Sequence, residues 1–321
     1  DTPATRPAVP TPPVSAHAPA LDPPAHAPPA YTLAAPTDRQ RRSAHVANVP
    51  THRLNDGYTL PGIGLGTWPL DDDAAETAVR NALALGYRLV DTAANYRNER
   101  GTGRAVTHGD VPREEIVVTT KLPGRDHGYE STLRSFEESR ARLGLDYVDL
   151  YLIHWPLPRV DRYVDSWRAM VKLRDEGLVR SVGVSNFTPS QIDRLERETG
   201  VLPAVNQVEL HPWFPQEELR RYHAGKGIVT ESWSPLGRGS GLLRDPAVVA
   251  VAERHGVSPA QVVLRWHVQL GAVPLPKSAD PGRQQANLAL DGIDLSDADL
   301  AALGGGPHRR LGGDPDVHEE F

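Results

Sequence analysis

A regular alternation of short apolar runs with longer helical patterns constrains the fold of this chain most. Eight runs have the length, apolar content and flanking turn residues of buried strands. Helical patterns separate them, and strands that alternate with helices over about 250 residues predict a (β/α)8 (TIM) barrel. A doubly wound parallel sheet is the alternative. The predicted strands are residues 63–66, 89–91, 116–120, 148–153, 181–185, 205–208, 228–233 and 273–276, and the predicted helices include residues 73–85, 129–143, 166–176, 189–198 and 259–270.

The first 50 residues differ sharply from the rest because they consist almost entirely of Pro, Ala and small polar residues. So little apolar area does not offset the entropy of ordering the chain, which predicts a disordered extension without a catalytic role. The barrel domain is predicted for residues 51–321. It begins with an Asp-Gly pair between apolar positions, Asp56 and Gly57, which indicates a short N-terminal β-hairpin.

Charge and composition exclude several classes of function. The chain carries 35 Lys and Arg against 41 Asp and Glu, a net charge of -6, whereas nucleic-acid binding needs a concentrated basic face. Its apolar runs are all shorter than the roughly 20 residues that span a bilayer. The count of Cys is 0, which excludes disulfides and Cys-ligated metals. No metal site is expected. A cytoplasmic protein fits this composition, as does a cysteine-free exported one.

Polar residues follow the predicted strands where each strand ends. Barrel enzymes build their sites from the residues at the C-terminal ends of the strands. Together these side chains predict a ring of donors, acceptors and charges on one rim of the barrel. The residues at the strand ends are Asp91, Lys121, His154, Ser185, Asn186, Asn206, Gln207, Trp233, Ser234, Lys277 and Ser278.

The sequence around these positions resembles the aldo-keto reductases from residue 54 to the end of the chain. The segments that carry the resemblance are GYRLVDTAANYRNE (86–99), TTKL (119–122), DLYLIHWP (149–156), GVSNF (183–187), NQVE (206–209), SPLG (234–237) and PKS (276–278). The tail RLGGDPD (310–316) is similar to the short C-terminal end of prokaryotic members such as the diketogluconate reductases. The resemblance implies reduction of an aldehyde or ketone by hydride from NADPH.

The family mechanism implies four catalytic residues here: Asp91, Tyr96, Lys121 and His154. Carbonyl reduction requires a general acid, and the resemblance assigns this role to Tyr96. A tyrosine has an ordinary pKa of about 10, which burial raises further. We expect the ammonium of Lys121, kept charged by Asp91, to outweigh burial and lower the pKa of Tyr96. His154 is expected to hydrogen-bond the substrate oxygen.

The resemblance also implies a set of NADPH-binding residues. Polar side chains are expected to bind the nicotinamide carboxamide, an indole to stack on its ring, and a cationic and hydroxyl set to bind the adenosine 2′-phosphate, where arginine binds best. The family's usual glutamate beside the adenine contact is Ala286 here. In chain order the implied residues are Thr67, Trp68, Asp91, Ser185, Asn186, Gln207, Trp233, Ser234, Leu236, Lys277, Ser278, Arg283 and Asn287.

Three residues are expected to line the substrate pocket: Trp68, Trp155 and His127. The expected partner is a small-molecule carbonyl compound, and the resemblance favours a monomer.

One alternative is a Rossmann dehydrogenase, because GIGLG (62–66) precedes a helical pattern, although the third glycine of G-x-G-x-x-G is missing. Another is a non-catalytic regulatory protein that binds the nucleotide on the same barrel.

Overall fold

A computed structural model describes residues 50–320 of the chain. The extension predicted for residues 1–50 therefore lies outside the described residues, apart from Pro50. Its expected disorder stays a prediction.

Eight parallel strands form the centre of the fold, and each lies beside its neighbour in the sequence. The ring closes where Gly64 N donates to Pro274 O (3.1 Å) and Gly66 N donates to Pro276 O (3.2 Å). The predicted (β/α)8 barrel is confirmed, since a doubly wound sheet reverses its strand order at a switch point. The barrel strands are β3 (Leu65–Gly66), β4 (Leu89–Asp91), β5 (Val117–Leu122), β6 (Val148–Ile153), β7 (Val179–Ser185), β8 (Val205–Glu209), β9 (Val229–Trp233) and β10 (Val273–Pro274).

Several helices begin at residues whose side chains satisfy free backbone N–H groups. At the start of α8 (Pro259–Gln269), Ser258 Oγ accepts from Gln261 N (3.3 Å) and Gln261 Oε1 accepts from Ser258 N (3.1 Å). These two bonds form a capping box that precedes Pro259. None of the described helices is long and apolar enough to cross a membrane. They are α1 (Asp72–Leu85), α2 (Glu99–Thr107), α3 (Tyr129–Leu143), α4 (Tyr163–Asp175), α5 (Pro189–Thr199), α6 (Glu217–Lys226), α7 (Pro246–His255), α8 (Pro259–Gln269), α9 (Pro281–Leu288) and α10 (Asp297–Gly304).

The predicted N-terminal hairpin is present and covers one end of the barrel. Its strands, β1 (Thr51–Arg53) and β2 (Thr59–Pro61), pair antiparallel, and Gly57 in the turn has φ 90, which favours glycine. Tyr58 Oη donates to Asp149 Oδ1 (2.9 Å) near the start of β6. Leu54 and Leu60 pack with apolar side chains from the barrel strands. The hairpin thus closes the N-terminal end and leaves the C-terminal end for the site.

Candidate active site

The C-terminal ends of the strands surround a cavity of ≈ 850 Å³. Segments of the C-terminal tail, residues 305–320, complete its wall on one side. Most of the residues predicted for the site line this cavity, although Lys121, His127, Ser278, Arg283 and Asn287 do not. The predicted residues that line it are Thr67, Trp68, Asp91, Tyr96, His154, Trp155, Ser185, Asn186, Gln207, Trp233, Ser234, Leu236 and Lys277.

Lys121 lies on β5 just beneath the cavity, with its side chain fully buried. Its Nζ donates to both oxygens of Asp91, at 2.7 and 2.8 Å, and to Thr92 O at 3.0 Å. Burial by itself would lower the pKa of Lys121, but the charge and hydrogen bonds of Asp91 raise that pKa above its ordinary value. The ammonium therefore keeps its charge inside the barrel.

Tyr96 ends a 3₁₀ turn, Ala94–Tyr96, that follows β4. Lys121 Nζ lies 3.4 Å from its hydroxyl oxygen. The ring of Tyr96 meets that of His154 edge to face, with the centroids 5.7 Å apart. The four side chains at positions 91, 96, 121 and 154 therefore converge at one end of the cavity.

Lys121 lowers the pKa of Tyr96 as expected, but the prediction that it outweighs burial is wrong. Burial raises the pKa of Tyr96 above 10.0, and the opposing effect of Lys121 does not compensate for it. Burial is the largest cause, and Nζ lies closer to the carboxylate of Asp91 (2.7 Å) than to the phenol oxygen (3.4 Å), so the negative charge of Asp91 also opposes the effect of the ammonium. Tyr96 therefore holds its proton at neutral pH.

His154 follows β6, and its main chain is fixed on both sides. His154 N donates to Leu122 O (3.2 Å), while Asn186 Nδ2 donates to His154 O (3.0 Å). Its Nδ1 lies 3.0 Å from Glu320 Oε2 of the tail. Burial would raise the pKa of Glu320, but this contact with His154 holds it below its ordinary value. Sequence reasoning did not predict any role for Glu320.

The amide and hydroxyl groups next to Trp233 form a connected network. Ser185 Oγ donates to Gln207 O (2.8 Å) and accepts from Asn186 Nδ2 (3.1 Å), and Trp233 Nε1 donates to Asn186 Oδ1 (2.8 Å). Gln207 Nε2 donates to Asp91 Oδ2 and to Glu231 Oε2, both at 2.9 Å. Because the amide hydrogens of Gln207 are engaged, its oxygen is the group left for a ligand. The network can therefore accept hydrogen bonds from a carboxamide NH₂.

The residues predicted for the adenosine end lie on or beside α9. Arg283 is 78% exposed, with its Nε 3.9 Å from Asp280 Oδ1. Ser278 Oγ is engaged with the main chain of Asp280. Asn287 is buried and hydrogen-bonds the hydroxyl of Tyr87. Arg283, like the exposed Lys277 of the same predicted set, is therefore free to reach a ligand in solvent.

The three residues predicted for the substrate pocket differ in position. Trp68 is 46% exposed at the cavity wall, and Trp155 is buried in it. His127 is also buried, but it is not part of the cavity lining, and neither ring nitrogen has a hydrogen-bond partner in the described part of the chain. Burial lowers the pKa of His127 to about 4, so its ring is neutral at neutral pH.

Glu231 is a buried acid close to Asp91 and Gln207. It was not predicted from the sequence as a site residue. It is fully buried on β9, and burial together with the charge of Asp91 raises its pKa to about 8. Its position two residues before Trp233 was the available signal, since alternate residues of a strand share a face. Glu231 therefore faces the same side of β9 as the indole that lines the cavity.

We expect Glu231→Gln to stabilise the protein, and more at pH 9 than at pH 5. A carboxyl with a pKa raised from 4.5 to about 8 contributes stability below pH 4.5 that is lost as the pH rises through 8. A glutamine keeps an oxygen for Gln207 Nε2 and does not ionise. Thermal unfolding should give a Tm increase of roughly 3–8 °C at pH 9, corresponding to about 1–3 kcal/mol. An equal change at both pH values would contradict the buried, protonated state of Glu231.

The chain matches one known protein family over most of its described length. The model of the aldo/keto reductase family matches residues 62–304. The 2,5-diketo-D-gluconic acid reductase B of a Corynebacterium strain is 53% identical over 275 residues, which cover 85% of this chain and 99% of that protein. The methylglyoxal reductase DkgA of Escherichia coli is 43% identical over 277 residues, covering 84% and 98% of the two chains.

Solved structures of similar proteins have the same fold. An aldo/keto reductase from Brucella melitensis has a TM-score of 0.77 at 48% identity and covers 80% of this chain and 99% of its own. An aspartate-to-alanine mutant of Gox0644 in complex with NADPH has a TM-score of 0.80 at 44% identity, covering 84% and 98% of the two chains. Both structures therefore support the barrel described above.

Proposed function

Because the chain belongs to the aldo-keto reductase family, we propose that it reduces an aldehyde or ketone to the alcohol, with NADPH as the hydride donor and Tyr96 as the general acid. The observation that carries the proposal is the convergence of Asp91, Tyr96, Lys121 and His154 at one end of the cavity. We further propose that the protein acts as a monomer on a small-molecule carbonyl compound.

The residues of the cavity fit this cofactor. NADPH, when bound, supplies the hydride that reduces the carbonyl carbon. Trp233 offers a flat indole for a nicotinamide ring, and Ser185, Asn186 and Gln207 offer acceptor oxygens for its carboxamide. Lys277 lines the cavity without an acidic partner in the described part of the chain, as a residue for a phosphate does.

Tyr96 supplies the proton that the reaction needs at oxygen. The alkoxide that forms is about as basic as hydroxide, whose conjugate acid, water, has a pKa of about 15.7. A phenol is ordinarily a stronger acid than an alcohol, and burial raises the pKa of both groups, so Tyr96 remains able to protonate the alkoxide. A raised pKa is an advantage here because it keeps the proton on Tyr96 until the alkoxide develops.

Lys121, Asp91 and His154 act on the charges that this proton transfer creates. The phenolate left on Tyr96 lies 3.4 Å from the ammonium of Lys121, which stabilises it in a water-poor environment. Asp91 keeps Lys121 charged and holds Nζ in place through two hydrogen bonds. His154, in contact with the Tyr96 ring, is placed to donate a hydrogen bond to the carbonyl oxygen and orient it.

The proposal is tested by following the loss of NADPH absorbance after addition of 4-nitrobenzaldehyde, a reactive neutral aldehyde. Steady consumption of NADPH and formation of the benzyl alcohol would support carbonyl reduction. Tight NADPH binding without turnover of this or any other aldehyde, keto acid or sugar would favour the nucleotide-binding regulatory protein instead.

We expect Arg283→Ala to weaken NADPH binding about tenfold and to change NADH binding less than twofold. The guanidinium is exposed and paired only loosely with Asp280, so it can bind the 2′-phosphate that only NADPH carries. Quenching of tryptophan fluorescence by each nucleotide measures the two affinities. The control is Arg197→Ala, which removes a similarly exposed guanidinium from α5. Equal losses for the two nucleotides would refute the role of Arg283.

A further inference from the structure

A buried carboxylate holds the C-terminal tail against the cavity. Glu209, at the end of β8, accepts hydrogen bonds from Leu311 N (2.5 Å) and Gly312 N (2.8 Å). Gly312 lies so close to Trp233 that a Cβ at this position would come within 2.4 Å of the indole. The first part of the tail is therefore fixed beside the proposed nicotinamide site.

The end of the tail is fixed on the opposite side of the cavity. The rings of His318 and Trp155 are in contact, tilted by 50° with 4.1 Å between their centroids. A Cβ on Gly124 would lie 1.9 Å from Glu320 O, so only a glycine allows the tail to approach this closely. The main chain of Glu320 therefore packs directly against Gly124, and its side chain forms part of the cavity wall.

The carboxylate of Glu320 lies at the proposed reaction centre. Its Oε2 is 3.0 Å from His154 Nδ1, and its side chain is 22% exposed. It also hydrogen-bonds Asn95, and its charge is close enough to raise the pKa of Tyr96. A substrate oxygen that is hydrogen-bonded to His154 would therefore lie close to the carboxylate of Glu320.

The permanently charged groups at the reaction centre do not pair with Glu320. Lys121 and Asp91 form a pair with no net charge, and Tyr96 is neutral. Burial would raise the pKa of Glu320, but its contacts with His154 and Asn95 and the nearby His318 hold that pKa below its ordinary value, so the carboxylate is ionised at neutral pH.

The other cations in or near the cavity do not pair with Glu320. Arg238 stacks over the ring of Trp68 at 4.5 Å, and Lys277 is assigned above to a cofactor phosphate. Arg125, which donates to Asn95 Oδ1 (2.6 Å), is 53% exposed and therefore screened by solvent. Substrates consequently meet a net negative charge on the tail side.

We infer that Glu320 is a specificity-determining residue that disfavours carbonyl substrates with an anionic group near the carbonyl and favours neutral or cationic ones. The inference rests on the proposed function. Two negative charges about 6 Å apart repel each other enough, at an effective dielectric between 20 and 80, to lower binding of the anion by roughly 3-fold to 100-fold. A carboxylate on the substrate therefore costs affinity even when it does not touch Glu320.

The first test compares 4-carboxybenzaldehyde with 4-nitrobenzaldehyde, which have nearly the same shape but differ in charge. We expect Glu320→Gln to raise the ratio of kcat/KM for the anionic over the neutral aldehyde about tenfold, and Glu320→Lys to raise it further. The matched control is Glu319→Gln, because Glu319 is not part of the cavity lining. It should leave the ratio unchanged. An unchanged ratio in both Glu320 variants would overturn the inference.

A binding test separates this inference from the proposed function. Benzoate and benzamide cannot be reduced, and both should quench the fluorescence of the cavity tryptophans when they bind. We expect Glu320→Gln to bind benzoate at least about fivefold more tightly than the unmodified protein does, with little change for benzamide. Equal changes for both probes would overturn the charge effect. Failure to turn over any carbonyl while this difference holds would refute the reductase assignment alone.

Discussion

Replacing Tyr96 by phenylalanine should lower kcat for an aldehyde by at least about a thousandfold while NADPH binds with nearly unchanged affinity. The substitution keeps the ring against His154 but removes the phenol that protonates the alkoxide. Loss of a general acid costs about 10²–10⁴ in rate, and the loss appears in kcat because the interaction develops in the transition state. Steady-state kinetics and fluorescence titration with NADPH measure the two effects.

The matched control for this substitution is Tyr147→Phe. Tyr147 lies just before β6, at the opposite end of the barrel, where its ring is packed between Arg113 and Arg180 at 4.3 and 4.2 Å. Loss of its hydroxyl should leave kcat unchanged. Near-normal turnover in Tyr96→Phe, or an equal loss in both variants, would refute Tyr96 as the proton donor.

Local sequence patterns sufficed to predict the barrel because each element carries its own hydrophobic period and its own boundaries. All eight strand predictions lie within two residues of the observed ends. Helix α4 begins at Tyr163, three residues before its predicted start, because its first turn is held by burial of Tyr163 and Val164 and its cap residue, Arg162, makes no side-chain cap hydrogen bond. Burial by distant parts of the chain leaves no capping pattern in the sequence.

The candidate site was predictable as far as it depends on strand ends. The end of a parallel strand fixes where Asp91, His154 and Gln207 enter the cavity, so their positions in the sequence predict that they meet. The distances between charges were not predictable. The pKa of Tyr96 depends on the burial of the phenol and on its distances from the charges of Lys121 and Asp91, which no sequence pattern encodes.

The position of the C-terminal tail was also not predictable from the sequence, because the tail lies outside the repeated strand–helix units of the barrel. Glu320 lies next to His154 because Glu209, Trp155 and Gly124 hold the tail in place, and these residues are far from it in the sequence. His127 follows the end of β5 in the sequence as a pocket residue would, yet its ring is not part of the cavity lining. Both outcomes depend on the path of loops rather than on the period of strands.

Replacing Lys121 by methionine should lower kcat at least about a hundredfold and destabilise the protein by about 3–5 kcal/mol. The substitution removes the cation that stabilises the phenolate of Tyr96 and leaves the buried carboxylate of Asp91 without its counter-charge. Steady-state kinetics give the loss in turnover, and urea unfolding gives the loss in stability. If Lys121→Met lowered kcat only because it destabilises the fold, then removing the charge of Asp91 as well should restore both stability and kcat.

The double variant Asp91→Asn with Lys121→Met separates the two effects. A buried ion pair that is replaced as a whole by uncharged side chains is often neutral for stability, whereas removal of one partner is costly. We therefore expect the double variant to regain most of the free energy of unfolding lost in Lys121→Met, while kcat stays at least about a hundredfold below that of the unmodified protein. Recovery of turnover along with stability would show that the Lys121 charge is not required for the reaction, because the double variant lacks it.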